Sequence, residues 1–121
     1  MDLSDEIPGL FLRSLARKDW AHLKSLLCDD ATLDYPGARL VRGRAPVVLF
    51  LRRVMMRFDS IVFNIDETIC HDGRICILWR NAGTLLTGKP FENRGATIVH
   101  LRGEQIASLS DYFKADVSHQ C

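Results

Sequence analysis

The second half of the chain alternates apolar and polar residues, and this pattern constrains the fold more than any other feature. From Ile61 onward the period of the apolar residues changes from that of a helix to that of a strand. Three turn signals divide this half: Asp72-Gly73, Gly88-Lys89-Pro90 and Gly103-Glu104. The sequence therefore predicts four long antiparallel strands joined as a meander, at about 61–71, 74–87, 90–102 and 106–115.

The first half has the period of helices. Apolar residues recur at helical spacing from Ile7 to Leu15, and Asp19 is a suitable N-cap for a short second helix. After a short strand at 31–35, Pro46 begins a third helix with an apolar stripe made of Val47, Phe50, Leu51, Val54, Met55 and Phe58. A meander that buries one face on these helices must curve, which predicts an α+β fold.

The length and the charge balance fit one globular domain. A chain of 121 residues can bury one core but not two, and 16 basic against 15 acidic side chains give no general attraction to nucleic acid or membranes. The acidic N-terminus lacks the apolar core of a signal peptide, and no apolar run is long enough to span a bilayer. We expect a single cytoplasmic domain over 1–121, with its core at about 7–116 and a disordered tail at 117–121.

Neither a metal nor an organic cofactor is expected. The four cysteines, Cys28, Cys70, Cys76 and Cys121, have no Cys-x-x-Cys spacing and no clustered histidines beside them. A glycine-rich phosphate loop is missing as well.

Three local stretches carry a resemblance to a known family. They are DDATLDYP at 29–36, LTGKP at 86–90 and SDYF at 110–113. In this order, with helix, helix, strand, helix and meander around them, they resemble the SnoaL-like polyketide cyclases and ketosteroid isomerases of the nuclear-transport-factor-like superfamily. The resemblance spans about 7–116. It implies a cone in which a curved, mostly antiparallel sheet wraps around three N-terminal helices and encloses an internal pocket for a small apolar ligand.

The catalytic residues of ketosteroid isomerase are not reproduced. Tyr35 stands where that enzyme has its proton-shuttling aspartate, before the proline of the first strand. Phe11 and, by approximate alignment, Thr97 stand where it has the tyrosine and the protonated aspartate of its oxyanion hole. Steroid isomerisation by that mechanism is therefore not expected.

Limonene epoxide hydrolase is more similar at the C-terminal end. Its closing motif contains an aspartate that helps to activate a water, and Asp111 matches it. An ungapped match places Leu78 and Arg80 where that enzyme has its other two catalytic residues, an arginine and an aspartate. The resemblance thus implies a general base at Asp111 without the rest of the triad.

Strand pairing predicts which side chains line the pocket. A two-residue loop at Asp72-Gly73 places Glu67 opposite Leu78 and Ile65 opposite Arg80, and a two-residue loop at Gly88-Lys89 places Thr97 opposite Arg80. The predicted substrate-binding residues on this face are Glu67, Leu78, Ala82, Asn93, Thr97 and Phe113.

The facing of the last strand has two solutions. A two-residue loop would turn Asp111 away from the pocket, whereas a three-residue loop with a bulge brings it inside with Leu109 and Phe113. We favour the second, because Leu109 and Phe113 are better core residues than Ser108 and Ser110.

This register places Arg80, Thr97 and Asp111 in one row across three strands. As chemistry, Asp111 would be the general base, Arg80 would stabilise an oxyanion and Tyr35 would donate a hydrogen bond. As structure, Arg80 and Asp111 would form a buried ion pair. The leading function is an isomerase, cyclase or hydrolase acting on an apolar cyclic or aromatic substrate. The alternative is a non-catalytic module of the same fold that binds a ligand or a protein.

Two surfaces are predicted as partner sites. Ile75, Ile77, Trp79 and Ile98 fall on the sheet face opposite the presumed pocket, which predicts a homodimer through that face. Six arginines between Asp34 and Asp59 form a basic surface, either as a solvated face or as a site for an anionic partner: Arg39, Arg42, Arg44, Arg52, Arg53 and Arg57.

Overall fold

The computed structural model describes residues 3–114, with side chains from residue 6 onward, so the tail predicted at 117–121 lies outside the described residues. The helices are α1 (Leu3–Arg17), α2 (Trp20–Leu26) and α3 (Arg44–Met55). The strands are β1 (Leu27–Asp34), β2 (Val41–Arg42), β3 (Phe58–His71), β4 (Arg74–Leu85), β5 (Pro90–Arg102) and β6 (Gln105–Phe113).

The strands form one curved sheet in the order β2-β1-β6-β5-β4-β3. Every neighbouring pair is antiparallel except β1 and β6, which run parallel, so the sheet is mixed. The sheet does not close on itself, and the three helices pack against its inner face. The predicted α+β fold, with a mostly antiparallel sheet wrapped around three N-terminal helices, is confirmed.

The core lies between the helices and the inner face of the sheet. Side chains that are almost fully buried come from every layer: Ile7, Phe11 and Leu15 in α1, Leu23 in α2, Val47 and Leu51 in α3, and Ile75, Ile77, Val99, Ile106 and Leu109 in the sheet. Each buried aliphatic side chain of this size contributes about 2 kcal/mol to stability.

Two local predictions are confirmed, one at a hairpin turn and one at the start of a helix. Asp72 and Gly73 both have positive φ, 49° and 73°, and His71 pairs with Arg74 across them, as a two-residue type I′ hairpin requires. The side chain of Asp19 accepts a hydrogen bond from the His22 backbone N–H at 3.1 Å and so caps α2.

The prediction of a two-residue loop at Gly88-Lys89, between β4 and β5, is wrong. Gly88 has a φ of +89° and occupies the last position of a three-residue turn over 86–88, closed by the Leu85 N–H donating to the Lys89 carbonyl at 2.9 Å. Thr97 therefore pairs with Ile77, three residues from the predicted partner Arg80. An odd shift in register turns every side chain of β4 to the other face relative to β5.

This shift reverses the predicted faces of β4. Ile75, Ile77 and Trp79 point into the core, with exposed fractions of 0%, 0% and 4%. The homodimer surface predicted from them is therefore wrong for these three residues. Of that group only Ile98, which pairs with Cys76 and is half-buried, lies on the outer face.

The predicted pairing of β3 with β4 is correct for Glu67 and wrong for Ile65. Glu67 pairs with Leu78 as predicted. A bulge at Asp66 then shifts the register, so Ile65 pairs with Trp79 and not with Arg80.

The last hairpin combines features of both solutions. The loop has two residues, since Arg102 pairs with Gln105, but an extra residue at Ala107 forms a bulge in β6. Thr97 therefore pairs with Asp111, which faces the interior as predicted, although the loop is one residue shorter than predicted.

Within residues 3–114, no helix is long and apolar enough to cross a membrane.

Candidate functional site

A small cavity lies between the inner face of the sheet and helices α1 and α3. Its volume is about 40 Å³, and most of its lining is aromatic or aliphatic. A volume of this size holds a few water molecules. Six lining side chains carry nitrogen or oxygen atoms: Tyr35, Trp79, Asn81, Asn93, Thr97 and Asp111.

A chain of two hydrogen bonds holds Asp111 in place. The Thr97 hydroxyl donates to Asp111 Oδ1 at 2.7 Å, and Trp79 Nε1 donates to Thr97 Oγ1 at 2.9 Å. The indole N–H can only donate, so the Thr97 oxygen must accept from it and direct its own hydrogen to the carboxylate. The direction of both bonds is therefore fixed by chemistry.

The Asp111 carboxyl titrates close to neutral pH. Burial raises its pKa from 3.8 to about 6, and the hydrogen bond from Thr97 offsets part of this effect. Among the described residues, none forms a salt bridge with Asp111. A carboxylate with a raised pKa at the wall of an apolar cavity has the properties of a general base or acid.

Tyr35 is the second polar group of the site. Its ring packs edge-on against Phe50 and Phe113, with centroid distances of 5.0 and 5.2 Å. Burial raises the pKa of the phenol to about 12, the charge of Asp111 also raises it, and Arg57 lowers it. The phenol therefore stays protonated at neutral pH and can donate a hydrogen bond.

The aromatic wall depends on a glycine. Trp79 packs edge-on against Phe63 and Phe113, at centroid distances of 5.6 and 5.8 Å. A Cβ atom on Gly95 would lie 3.0 Å from Trp79 Cζ2 and would collide with the Tyr112 carbonyl oxygen. Gly95, which pairs with Trp79, thus leaves room for the indole to cross β5 and reach Thr97.

Two asparagines pair across β4 and β5 at the same cavity. Asn81 and Asn93 are each 9% exposed. Asn93 Oδ1 accepts a hydrogen bond from the Arg94 backbone N–H at 2.8 Å. Asn81 Oδ1, in contrast, is buried without a hydrogen-bond partner among the described residues.

The structure brings five of the predicted site residues together at the cavity: Tyr35, Asn93, Thr97, Asp111 and Phe113. The other four, Glu67, Leu78, Arg80 and Ala82, belong to the outer face because of the register shift in β4. The Arg80 side chain is 62% exposed, and its Nε donates to both oxygens of Asp66 at 2.9 and 3.0 Å. The predicted ion pair with Asp111 does not form, and the oxyanion role predicted for Arg80 is overturned.

The lining residues that the sequence analysis did not predict include three on strands β3 and β4: Phe63, Trp79 and Asn81. A signal for two of them was present in the sequence. Ile75, Ile77 and Trp79 alternate along β4, and such a row of large apolar residues is most often a core face. Placing that row inside would also have placed Asn81 inside, two residues further on.

Within residues 3–114, no cluster of three or more His, Cys, Asp or Glu side chains could hold a metal ion. Cys28, Cys70 and Cys76 are free thiols.

The family model of the SnoaL-like domain matches residues 10–109, and the chain belongs to this family. Its fold is compatible with isomerase-type enzymes. No curated protein matches the chain significantly.

Solved structures share the fold over nearly the whole chain. An NTF2-like protein from Anabaena variabilis is 26% identical, with a TM-score of 0.86 over 94% of this chain and 88% of that one. An NTF2-like protein of unknown function from Burkholderia pseudomallei is 17% identical, with a TM-score of 0.85 over 99% and 95%. An LEH-like epoxide hydrolase from M. tuberculosis is 19% identical, with a TM-score of 0.79 over 96% and 84%.

Proposed function

We propose that this protein is a cofactor-independent enzyme of isomerase, cyclase or hydrolase type that acts on a small apolar cyclic or aromatic molecule. Asp111 is the general base of the proposed reaction. The observation that carries the proposal is the position of this carboxyl, with its pKa raised to about 6, at the wall of a largely apolar cavity.

The proposed chemistry needs only residues that line the cavity. Ionised Asp111 accepts a proton from a carbon acid or from a water molecule, and the Thr97 hydroxyl holds Oδ1 so that Oδ2 is available for this transfer. The Tyr35 phenol donates a hydrogen bond to a substrate oxygen on which negative charge develops. Tyr35 thus takes over the part first predicted for Arg80.

Substrate binding requires the cavity to expand. Sites for ligands of drug size occupy about 300–1,000 Å³, well above the roughly 40 Å³ of this cavity. Tyr35 and Phe113 are half-buried and pack edge-on, so rotation of these two rings is the simplest way to enlarge the space beside Asp111.

The test is hydrogen exchange at a simple carbon acid. The α-hydrogens of cyclohexanone exchange with D2O when a base abstracts them, and NMR follows the loss of the proton signal. We expect the wild-type protein to accelerate this exchange with a rate that rises as the pH passes through about 6, where Asp111 ionises. Asp111→Asn removes the base and should lower the rate by about 10²-fold or more.

A matched variant is Asp59→Asn, which makes the same chemical change at an exposed position at the start of β3. It should exchange at the wild-type rate. Equal rates in the wild type and Asp111→Asn, including both at the rate of buffer alone, would contradict a base at Asp111.

The second candidate is a non-catalytic ligand-binding or interaction module of the same fold. The observation that favours it is the small size of the cavity in the ligand-free protein. The exchange experiment separates the two, because a binding module gives no acceleration that depends on Asp111.

A cytoplasmic location and a homodimer through the outer sheet face stay part of the proposal. With Ile75, Ile77 and Trp79 buried inside, such a dimer would use half-buried outer residues such as Leu78, Ala96 and Ile98, and the mass in solution tests it.

A further inference from the structure

We propose that Asn81 determines the specificity of the same site, by accepting a hydrogen bond from a hydroxyl or amine group of the ligand. The inference rests on the proposed function for the existence of a substrate and adds its class. The substrate is then a cyclic or aromatic alcohol, phenol or amine, and not a simple ketone or hydrocarbon.

The unpartnered oxygen of Asn81 carries this inference. The side chain is 9% exposed, it lines the cavity, and its Oδ1 has no hydrogen-bond partner among the described residues. A buried acceptor without a donor loses its hydration and receives nothing in return, which destabilises the folded state. A donor supplied from the cavity restores the missing interaction.

The neighbouring asparagine shows that the lack of a hydrogen-bond partner is particular to Asn81 and is not shared by both members of the pair. Asn93 lies directly opposite Asn81 and is equally buried, yet its Oδ1 accepts from the Arg94 backbone N–H at 2.8 Å. Asn93 is thus held by the protein itself, whereas the oxygen of Asn81 is left for a group inside the cavity.

Asn81 and Asp111 lie at different ends of the cavity lining. Asp111 belongs to the row that contains Thr97 and Ile77, and Asn81 lies four residues further along β4 than Ile77. Four residues of a strand span about 13 Å, with the indole of Trp79 between the two rows on the same face. One ligand can therefore present its donor to Asn81 while its reacting atom faces Asp111.

The experiment compares two probes of nearly the same shape, cyclohexanol and cyclohexanone. The alcohol carries a donor and the ketone only an acceptor. Binding is followed by the fluorescence of Trp79, which lines the cavity, in a Trp20→Phe background that removes the other tryptophan. We expect the protein to bind cyclohexanol about 3–10-fold more tightly than cyclohexanone, because a single neutral hydrogen bond raises affinity by a factor of this order.

Asn81→Leu keeps the approximate size of the side chain and removes the acceptor. In this variant the preference for cyclohexanol should disappear. Asn64→Leu makes the same change at an exposed position of β3, opposite Arg80, and should keep the preference.

The same variant has a readout that needs no ligand. Asn81→Leu replaces an unpartnered buried acceptor by an apolar group, so we expect the melting temperature to rise by about 3–6 °C. An asparagine with a purely structural role would instead lower the melting temperature when replaced.

The outcomes separate this inference from the proposed function. A preference that survives Asn81→Leu, a wild-type preference for cyclohexanone, or a lower melting temperature of Asn81→Leu would overturn the role of Asn81 alone. Failure of Asp111→Asn to slow the hydrogen exchange would overturn the general base and leave the role of Asn81 standing. If neither probe binds the wild type, both the role of Asn81 and the proposed pocket are overturned.

Discussion

At the scale of single residues, Thr97 offsets part of the effect that burial has on the pKa of Asp111. Its hydroxyl accepts from Trp79 and donates to the carboxylate, so the oxygen and the hydrogen of one side chain are both used. A hydrogen bond to the ionised form of a carboxyl favours that form and lowers its pKa, while burial acts in the opposite direction. The pKa of about 6 reflects the balance, in which burial is the larger effect.

Thr97→Val keeps the shape of the side chain and removes its hydroxyl. Because the lost hydrogen bond lowers the pKa of Asp111, the pKa should rise above about 6 in the variant. The pH midpoint of cyclohexanone exchange should therefore move upward, and the rate at pH 6 should fall. At a pH well above both midpoints Asp111 is ionised in either protein, and the rates should converge.

The control for this experiment is Thr68→Val, at an exposed position of β3. Its pH profile should match that of the wild type. A midpoint in Thr97→Val that stays in place or moves downward would show that the hydroxyl does not stabilise the ionised carboxylate.

At the scale of elements, the hairpins show what the sequence can and cannot predict. Asp72-Gly73 determines its own turn, because both residues accept the positive φ that a two-residue loop demands. Gly88 also has positive φ, but a glycine can take this conformation at several positions of a turn. The position of Gly88 in the loop sets the register of β4 on β5. This position depends on tertiary packing, which the Gly88-Lys89 dipeptide does not encode.

The same limit explains the candidate site. The facing of Asp111 was predictable, because Leu109 and Phe113 needed burial and lie two residues on either side of it. Trp79 and Asn81 were missed because a misplaced turn reversed β4, although the apolar row on that strand argued for the interior. The bulges at Asp66 and Ala107 were likewise beyond the reach of residue type alone.

A prediction at this scale concerns the contact of β5 with its two neighbours. In Gly95→Ala the new methyl group would meet the Tyr112 carbonyl oxygen and lie 3.0 Å from Trp79 Cζ2. We expect a loss of about 1–3 kcal/mol in the free energy of unfolding, measured with urea, because the strands and the indole must shift.

Gly9→Ala is the matched substitution, in helix α1, where a Cβ atom would meet only the end of the flexible Arg13 side chain at 3.5 Å. Alanine is a better helix former than glycine, so this variant should be as stable as the wild type or up to about 1 kcal/mol more stable. Equal stability of Gly95→Ala and the wild type would show that the sheet accommodates a side chain there.

At the scale of the whole molecule, the buried carboxyl links stability to pH. The pKa of Asp111 is about 6 in the folded protein against an ordinary value of 3.8. A pKa raised by folding means that the folded state binds the proton more tightly than the unfolded state. The contribution of Asp111 to stability is therefore fully present below its ordinary pKa and is lost as the pH rises through about 6.

Asp111→Asn should remove this dependence. Relative to the variant, we expect the wild type to lose about 3 kcal/mol of unfolding free energy between about pH 4 and pH 7, since each pKa unit corresponds to 1.36 kcal/mol. Urea unfolding of both proteins at several pH values measures the difference. A difference that stays constant over this range would show that Asp111 ionises as easily in the folded protein as in the unfolded chain.

The turn over 86–88 also has an evolutionary consequence. If the pairing of β4 with β5 stayed free of bulges, one residue more or less in this turn would replace Trp79 and Asn81 by Leu78 and Arg80 on the inner face. One insertion or deletion in a surface loop can thus exchange a whole set of interior side chains in a single mutational event. Descendants of one gene could acquire differently lined interiors by this route, without any substitution in the strands that form them.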